Sequence, residues 1–286
     1  MNVLSCFDGM SCGQIALNKA GIKYDKYFAS EIKPHAIKVT QHNYPNTIQI
    51  GDVTKINSSN LPQIDLLVGG SPCQDFSSAN KKKLGLEGEK SGLFYEYLRL
   101  LKELKPRYFL LENVAMDDYS YSTISHLLET FPVDINSSLV SAQLRQRSYW
   151  TNIGGGYNDL FGMRYSTIPQ PKDLKITFQS ILENGYTDRL KARCILESES
   201  RPLKSKDKLY RRYSELGFIN IVFDNKECIY NENIRILTQK ELEKLQTVPE
   251  GYTSILNRND AACLLGDGWT IDVISHIFSY LDFPKQ

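Results

Sequence analysis

Short apolar runs alternate with helix-like stretches along the first half of the chain. The apolar runs have the length of buried strands, and they lie at 3–7, 27–30, 47–50, 64–68 and 108–111. Apolar residues at helical spacing fill 14–20, 93–104 and 121–130, and two further strands are predicted near 133–140 and 148–153. This alternation predicts an α/β fold with a doubly wound, mainly parallel sheet.

The pattern changes after Gly154-Gly155-Gly156, which is typical of a hinge. Residues 157–233 are polar and lack the alternation of strand and helix. Thr238 and Glu241 form a capping box that predicts a helix to Gln246, and an amphipathic helix is expected over 270–281. We therefore predict an α/β domain over 1–156, a small irregular region over 157–233, and a segment over 234–286 that returns to the first domain.

Composition narrows the possible classes of protein. The chain has 286 residues, 41% of them hydrophobic, and no run approaches a membrane span. Met1 leads directly into a strand, so no signal peptide is expected. The six cysteines show no CxxC spacing, which suits free thiols in a cytoplasm. No metal site is expected.

Basic residues cluster between 191 and 212, with two tyrosines among them. Eight basic residues (191, 193, 201, 204, 206, 208, 211, 212) and three acids (197, 199, 207) give a local charge of +5. The pattern is typical of a nucleic-acid-facing surface with Tyr210 and Tyr213 interleaved. A solvated charged surface is the alternative.

Three consecutive strands are followed by polar groups suited to a nucleotide. The first leads into the glycine turn from Phe7 to Gly13, the second into Glu31, and the third into Asp52. Backbone N–H groups of such a turn face a ligand, and a carboxylate at the second strand accepts from ribose hydroxyls. Together they predict an adenosyl cofactor, although each acid alone equally suits a helix N-cap.

A second constellation points to chemistry on a substrate. Gly69-Gly70 breaks the strand over 64–68, and Cys73 follows on a basic loop where doubly wound sheets place their ligands. Glu112 follows the strand over 108–111 and can act as an acid beside it. Arg145 and Arg147, two apart in an extended segment, are expected to point the same way and clamp an anion or base edge. A buried structural cysteine, a salt-bridged strand cap and a charged hairpin are the respective alternatives.

These motifs occur in the order of one known family. From end to end the chain resembles the cytosine-carbon-5 DNA methyltransferases. The motifs that carry the resemblance are Phe7-Asp8-Gly9 with Gly13, Glu31, Asp52, Pro72-Cys73-Gln74, Glu112-Asn113-Val114, Gln143 with Arg145 and Arg147, the Arg235–Pro249 segment, and the turn from Gly266 to Trp269. Within the family it is most similar to the catalytic domains of the animal de novo enzymes. Its lysine- and isoleucine-rich composition suggests a bacterial or phage member.

The resemblance implies a Rossmann-like methyltransferase fold and the cofactor S-adenosylmethionine. Residues 1–156 would then be the catalytic and cofactor-binding domain, and 157–233 a small target-recognition region. The cofactor-binding positions it implies are Phe7, Asp8, Gly9, Met10, Ser11, Cys12, Glu31, Ile32, Asp52, Val53, Pro72, Asp267, Gly268 and Trp269. The turn residues would act through backbone only. Asp8, Ser11-Cys12 and Asp267-Gly268 depart from the usual residues of the motifs, and the last puts an acid near the cofactor.

The resemblance also implies a reaction and a substrate. Cys73 would attack carbon 6 of a cytosine flipped out of double-stranded DNA, with Glu112, Arg145 and Arg147 assisting, and the methyl group would pass to carbon 5. The implied DNA contacts are Gln74, Ser77, Ala79, Lys81, Arg193, Arg201, Arg211 and Arg212. Ala79 is small for a side chain that fills the gap in the helix.

The resemblance leaves three alternatives and sets a biological context. A transfer-RNA cytosine methyltransferase of the same fold, a catalytically silent DNA-binding scaffold and a nicotinamide dehydrogenase stay open, although the last gives Pro72-Cys73-Gln74 no role. The expected setting is the cytoplasm of a bacterium or phage-infected cell, in restriction-modification or genome protection. A monomer is expected, with an oligomer left open.

Overall fold

A computed structural model describes residues 1–71, 92–200, 205–227 and 233–283. The strands within these ranges are β1 Asn2–Cys6, β2 Lys26–Ser30, β3 Ile48–Gln49, β4 Leu66–Gly70, β5 Tyr108–Val114, β6 Val133–Asn136, β7 Gln143–Leu144, β8 Gln146–Thr151, β9 Gly156–Asn158, β10 Arg164–Ser166, β11 Ala192–Arg193, β12 Val222–Phe223 and β13 Ile234–Arg235. The helices are α1 Cys12–Lys19, α2 Pro34–Asn43, α3 Gly92–Leu104, α4 Asp118–Leu127, α5 Phe178–Ile181, α6 Lys206–Ser214, α7 Gln239–Leu245, α8 Arg258–Asp267 and α9 Ile271–Phe278.

The predicted α/β fold is confirmed. Seven strands form one sheet in the order β3-β2-β1-β4-β5-β8-β6. Strands β3, β2, β1, β4 and β5 pair in parallel, and β8 pairs antiparallel to β5. Parallel strands buried on both faces read as continuous apolar runs, which explains why the sequence locates β1, β2 and β4 to within two residues and the start of β5 correctly.

The chain divides into two compact units. The first contains Met1–Ile135, Gln146–Gln170 and Ile274–Gln286, and the second contains Asn136–Arg145 and Pro171–Val273. The main core of the first unit joins strands β1, β4 and β5 to α3 and α4, with Leu4, Tyr97 and Trp150 fully buried. The domain boundaries predicted near 156 and 233 divide the chain by expected function, and they stay a prediction.

The second unit holds short elements rather than a large sheet. Strands β7 and β11 pair in parallel, and β12 and β13 pair antiparallel. Helix α6 places Leu209 and Tyr213 against Ile219, Ile221 and the β12–β13 pair in a small core of its own. The predicted capping box is confirmed, because the Thr238 side chain caps α7 and Glu241 reaches back to the Thr238 N–H.

Two sequence predictions about elements need correction. Gly69 and Gly70 do not break β4 but end it, because both still pair with β5. The strand expected over 133–140 stops at Asn136, whose side chain accepts from the Ser138 N–H and opens a 3₁₀ turn. The described part of 157–233 contains the short strands β10, β11 and β12 and the helices α5 and α6.

Two absences hold for the part of the chain that the structure describes. Its longest helix, α3, has 13 residues, and no helix there is long and apolar enough to cross a membrane. Within the same residues, no three His, Cys, Asp or Glu side chains gather as a metal ion would require.

Candidate active site

The glycine turn and the end of β4 lie side by side at the point where the strand order reverses. Strand β1 pairs with β2 on one side and with β4 on the other, and Cys6 is the register partner of Gly69. In open α/β sheets, ligands bind at this switch point, outside the carboxyl ends of the strands. The two predicted constellations therefore start from neighbouring strands.

The turn after β1 has an unusual backbone. Phe7, Gly9 and Ser11 have φ angles of 58°, 59° and 61°, all in the left-handed region. This conformation costs a residue with a side chain about 1–2 kcal/mol, so Phe7 and Ser11 need restraint from their surroundings. A Cβ on Gly9 would meet no atom within 4 Å, so this face of the turn is open.

The buried Asp8 side chain supplies much of the restraint on Phe7 and Ser11. Its side chain is buried and accepts from the Tyr27 hydroxyl at 2.8 Å and from the Ser11 hydroxyl. Burial raises the pKa of the Asp8 carboxyl to about 6, although the hydrogen bonds oppose the shift. The family resemblance implies a role for this position through its backbone alone. Met10, Ser11 and Cys12 are buried as well, which suits ligand contacts through backbone.

Glu31 is held in place at the end of β2. Its Oε2 accepts from the Gly9 N–H at 2.7 Å, and its Oε1 accepts from the Ile32 and Lys33 N–H groups at 2.8 Å. A carboxylate has about four acceptor sites, so these three bonds leave capacity for a hydroxyl. The neighbouring Ile32 side chain is 69% exposed, an apolar surface beside a fixed carboxylate.

Asp52 caps a 3₁₀ helix over Val53–Lys55. Its Oδ1 accepts from the Thr54 N–H at 3.0 Å and from the Thr54 hydroxyl at 2.9 Å, and these bonds lower the pKa of the carboxyl. Asp52 thus uses Oδ1 as an N-cap, which is the alternative role that the sequence offered. An adenine amino group would have to donate to Oδ2. Val53 is buried behind it.

The residues at these strand ends fit an adenosyl cofactor. Gly9 and Gly51 both have left-handed φ angles and open space where a Cβ would lie. Between them the Ser30 hydroxyl donates to the Gly51 carbonyl at 2.7 Å, which fixes the two turns relative to each other. Open glycine turns flank a fixed carboxylate and an exposed apolar side chain, and this combination suits a ribose with a base.

The nucleophile predicted from the sequence lies outside the described residues. The same is true of Pro72, Gln74, Ser77, Ala79 and Lys81. The structure does describe the approach to them, because Ser71 is buried and its hydroxyl accepts from the Asn113 side-chain amide at 3.0 Å. Asn113 therefore fixes the chain two residues before Cys73. The sequence motif places Asn113 beside Glu112 but does not by itself indicate this role.

Glu112 and Arg147 form an ion pair next to this approach. The Arg147 Nε lies 2.9 Å from Glu112 Oε1, and both side chains are largely buried. Glu112 is the register partner of Gly70, which lies three residues before Cys73. The expectation that Glu112 follows the strand is wrong, since antiparallel pairing with β8 carries β5 on to Val114.

Arg145 and Arg147 do not act together as the sequence suggested. Arg145 is buried and donates to the Gly266 and Gly268 carbonyls at 3.2 and 2.8 Å, and to Cys194 Sγ at 3.1 Å. The two arginines do not share one continuous strand, since β7 ends at Leu144 and β8 begins at Gln146. The arginine motif therefore contains one residue paired with Glu112 and one that caps α8.

The terminal motif is partly helical. Asp267 is the last residue of α8, so the predicted turn begins two residues later than expected. The Gly268 carbonyl accepts from Arg145 and from the Gln246 side chain, and the Trp269 ring is buried. Gln143 also donates to Gln246 at 2.8 Å. The Gln143, Arg145 and Gln246 motif positions thus hold this segment from inside the second unit.

The basic cluster contains fewer accessible groups than its charge suggested. Lys191 donates to the Ser138 and Ser141 carbonyls, and Tyr213 is buried, so neither is an accessible contact for DNA. Arg193 is exposed on β11, and Arg211 is exposed on α6 in a pair with Glu215. Arg212 is half-buried on the same helix, and Arg201 lies outside the described residues.

Solved structures share this fold. An Entamoeba histolytica methyltransferase superposes with a TM-score of 0.73, with 98% of this chain and 97% of that one covered at 16% identity. The S. pombe Dnmt2 methyltransferase gives 0.67 over 98% and 97% of the two chains, also at 16% identity. The architecture is therefore that of a methyltransferase.

The family follows from the sequence comparison. Residues 1–192 match the model of the C-5 cytosine-specific DNA methylases, and the chain belongs to this family. An orphan methyltransferase of Bacillus phage rho11s, M.Rho11sI, is 45% identical over 135 residues, which are 46% of this chain and 27% of that protein. The type II methyltransferase M1.ScrFI of Lactococcus lactis subsp. cremoris is 29% identical over 89% of this chain and 71% of its own length.

The length of the match differs between relatives. The type II methyltransferase M.NgoBV of Neisseria gonorrhoeae is 35% identical over 59% of this chain and 42% of that protein. The chain thus spans about a quarter to two fifths of the length of the first curated relatives it matches.

Proposed function

We propose that this chain transfers a methyl group from S-adenosylmethionine to carbon 5 of cytosine in double-stranded DNA, within a short recognition site. The observation that carries the proposal is the Glu112–Arg147 ion pair, which lies beside the approach to Cys73 at the switch point of the sheet. Membership of the C-5 cytosine-specific DNA methylase family supports it.

Cys73, Glu112 and Arg147 each have a role in the proposed chemistry. The Cys73 thiolate attacks carbon 6 of the base, which makes carbon 5 nucleophilic. Glu112 shares a proton with ring nitrogen 3 and stabilises the charge that the addition creates. Arg147 holds the base oxygen and orients Glu112 through its guanidinium. Once carbon 5 has taken the methyl group, a water near the Cys73 loop removes the carbon-5 proton, and the thiolate then leaves carbon 6.

The cofactor, when bound, supplies the methyl group from a sulfonium. The turn from Phe7 to Cys12 would hold its methionine end through backbone groups. Glu31 would accept from the ribose hydroxyls, and Asp52 and Val53 would contact the adenine beside Ile32. The family resemblance also assigns Asp267, Gly268 and Trp269 to the cofactor, together with Pro72.

The reaction requires a base that has left the helix. Stacking in a duplex covers both faces of the cytosine ring, so the thiolate cannot reach carbon 6 and carbon 5 cannot reach the methyl group unless the base is flipped out. The loop positions Gln74, Ser77, Ala79 and Lys81 would face the DNA, as would Arg193, Arg201, Arg211 and Arg212. Arg145 is better assigned to holding the 266–269 segment than to the reacting base.

The relatives suggest a biological setting. The curated proteins named above come from phage and bacteria, and their names describe type II and orphan methyltransferases. We infer a bacterial or phage protein that acts in restriction-modification or genome protection inside the cell. The likeness to the animal de novo branch rests on Phe7-Asp8-Gly9, Val114-Ala115-Met116, Trp269 and the short variable region.

Transfer of a radiolabelled methyl group tests the proposal in vitro. The full chain would be incubated with labelled cofactor and either duplex DNA or bulk transfer RNA. We expect incorporation into DNA, loss of about a hundredfold in rate for Glu112→Gln and Arg147→Lys, and no change for the control Arg107→Lys, an exposed arginine paired with Asp282. Incorporation into transfer RNA alone would instead identify an RNA methyltransferase.

A further inference from the structure

Asp8 lies at the centre of a buried hydrogen-bond network that the proposed chemistry does not use. Its side chain is 7% exposed and accepts from the hydroxyls of Tyr27 and Ser11. Its backbone N–H donates to the Ser30 carbonyl, and its own carbonyl accepts from the Ser11 N–H, both at 3.1 Å. One residue thus ties the glycine turn to β2 on one side and to the start of α1 on the other.

The network continues beneath the turn toward β3. The Gln14 side-chain amide donates to the Ser11 hydroxyl at 3.0 Å and to the Thr47 hydroxyl at 2.8 Å. The Tyr24 hydroxyl in turn donates to Gln14 Oε1 at 2.9 Å. Polar side chains therefore link the turn after β1, the strand β2 and the approach to β3, and the Asp8 carboxylate is their one charged member among the described contacts.

The network also supports the conformation of the glycine turn and the contact of this turn with Glu31. Gly9, the next residue, donates its N–H to Glu31 Oε2 at 2.7 Å. Phe7 and Ser11 on either side both hold left-handed conformations that they would not adopt unassisted. Without its bond to Asp8, the Ser11 hydroxyl keeps only the bond from the Gln14 side chain among the contacts that the structure describes.

We propose that Asp8 is a positioning residue for the cofactor, and that its buried carboxylate holds residues 7–11 in the shape that keeps the Gly9 N–H on Glu31 and so orients the Glu31 carboxylate toward the ligand. This inference rests on the proposed function, since it concerns the same adenosyl site. It assigns the side chain of Asp8, and not just its backbone, to cofactor affinity.

Ionisation of Asp8 gives the inference a signature in pH. The pKa of Asp8 is raised to about 6, so the group is a carboxylate at neutral pH and loses an acceptor position when it is protonated. The titratable groups that face it are Cys6 on β1, Tyr27 on β2 and Glu31. Burial raises the pKa of Cys6 and Tyr27 further above neutrality, so both stay protonated while Asp8 titrates. Cofactor affinity should therefore fall as the pH drops through about 6.

Calorimetry with S-adenosylhomocysteine as the probe tests this on the full chain between pH 5.5 and 7.5. At pH 7.5 we expect Asp8→Asn to bind about tenfold more weakly than the wild type, as one lost charged hydrogen bond predicts. At low pH the wild type should approach the variant, whose affinity should change little with pH. Asp282→Asn, an exposed aspartate paired with Arg107, should follow the wild type.

Three results would overturn the inference. Asp8→Asn that binds within about twofold of the wild type at every pH would show that the carboxylate is not needed. A variant that retains the wild-type pH dependence would place the titrating group elsewhere. If Asp8→Asn does not fold, Tyr27→Phe removes one bond to the carboxylate, and unchanged affinity there would have the same meaning. A wild type that binds no probe at all would instead contradict the proposed function itself.

Discussion

Glu199 is a buried carboxyl in the second unit that has no part in the proposed chemistry. Its Oε1 accepts from the Asn220 side-chain amide at 3.0 Å, and its surroundings leave it 9% exposed. Burial raises the pKa of Glu199 from 4.5 to about 7, although the bond to Asn220 and the charge of Arg258 oppose the shift. The group is therefore a sensitive reporter of folding at neutral pH.

Glu199 should contribute to the pH dependence of stability. A pKa that is higher in the folded state favours folding below the unfolded pKa, and this contribution is lost as the pH rises through about 7. We expect the wild type to lose about 3 kcal/mol relative to Glu199→Gln between pH 4.5 and pH 8, as urea unfolding would measure. Glu215→Gln, an exposed glutamate, is the control. Parallel curves for wild type and Glu199→Gln would contradict the expectation.

At the scale of residues, sequence motifs locate positions better than they assign side-chain partners. Glu31 was expected at a strand end beside the glycine turn, and it lies there with three backbone N–H groups on its carboxylate. Arg145 and Arg147 looked equivalent at a spacing of two, yet one pairs with Glu112 and the other caps α8. Only the break between β7 and β8 separates them, and no sequence period reveals it.

At the scale of elements, Gly69 shows why a glycine pair lies inside a strand where the sequence predicts a break. A Cβ on Gly69 would lie 2.9 Å from Cδ2 of the buried Tyr97 ring on α3 and 3.3 Å from the Cys6 carbonyl. The glycine therefore lets α3 approach the sheet closely, and it does so within β4. Because glycine often weakens or interrupts a strand, the sequence alone favours a strand break at this position.

This packing yields a prediction about stability. Gly69→Ala should destabilise the protein by about 1–3 kcal/mol, because Tyr97 is fully buried and has little room to move. Gly92→Ala is the matched control, since a Cβ there meets nothing within 4 Å and the residue lies in α3. The control should be neutral or slightly stabilising in urea unfolding. Equal losses for both variants would show that close approach is not the reason for Gly69.

Strands and helices could be predicted wherever their burial leaves a local pattern of apolar residues in the sequence. Buried parallel strands and the capping box of α7 follow from local residues, and both are confirmed. The end of β5 was misplaced because its last residues are polar and are held by pairing with β8, a partner some 35 residues away. Long-range pairing of this kind has no local signature.

At the scale of the whole molecule, DNA binding should depend on salt through the accessible arginines. Substituting Arg193, Arg211 and Arg212 together by Gln should weaken binding and lower the slope of log affinity against log salt by about 2–3, as the release of counterions predicts. Arg107→Gln is the control, an exposed arginine of the first unit. An unchanged slope in fluorescence anisotropy titrations would show that these arginines do not contact phosphates.

The account as a whole depends on one claim, that this chain methylates carbon 5 of cytosine in DNA through Cys73. Base-resolution sequencing of cytosine methylation tests it most directly, in a methylation-free bacterial host that expresses the wild type or Cys73→Ala. We predict methylated cytosines in one short sequence context with the wild type and none with the variant. An unmethylated genome with folded wild-type protein present, or equal methylation with the variant, would contradict the claim.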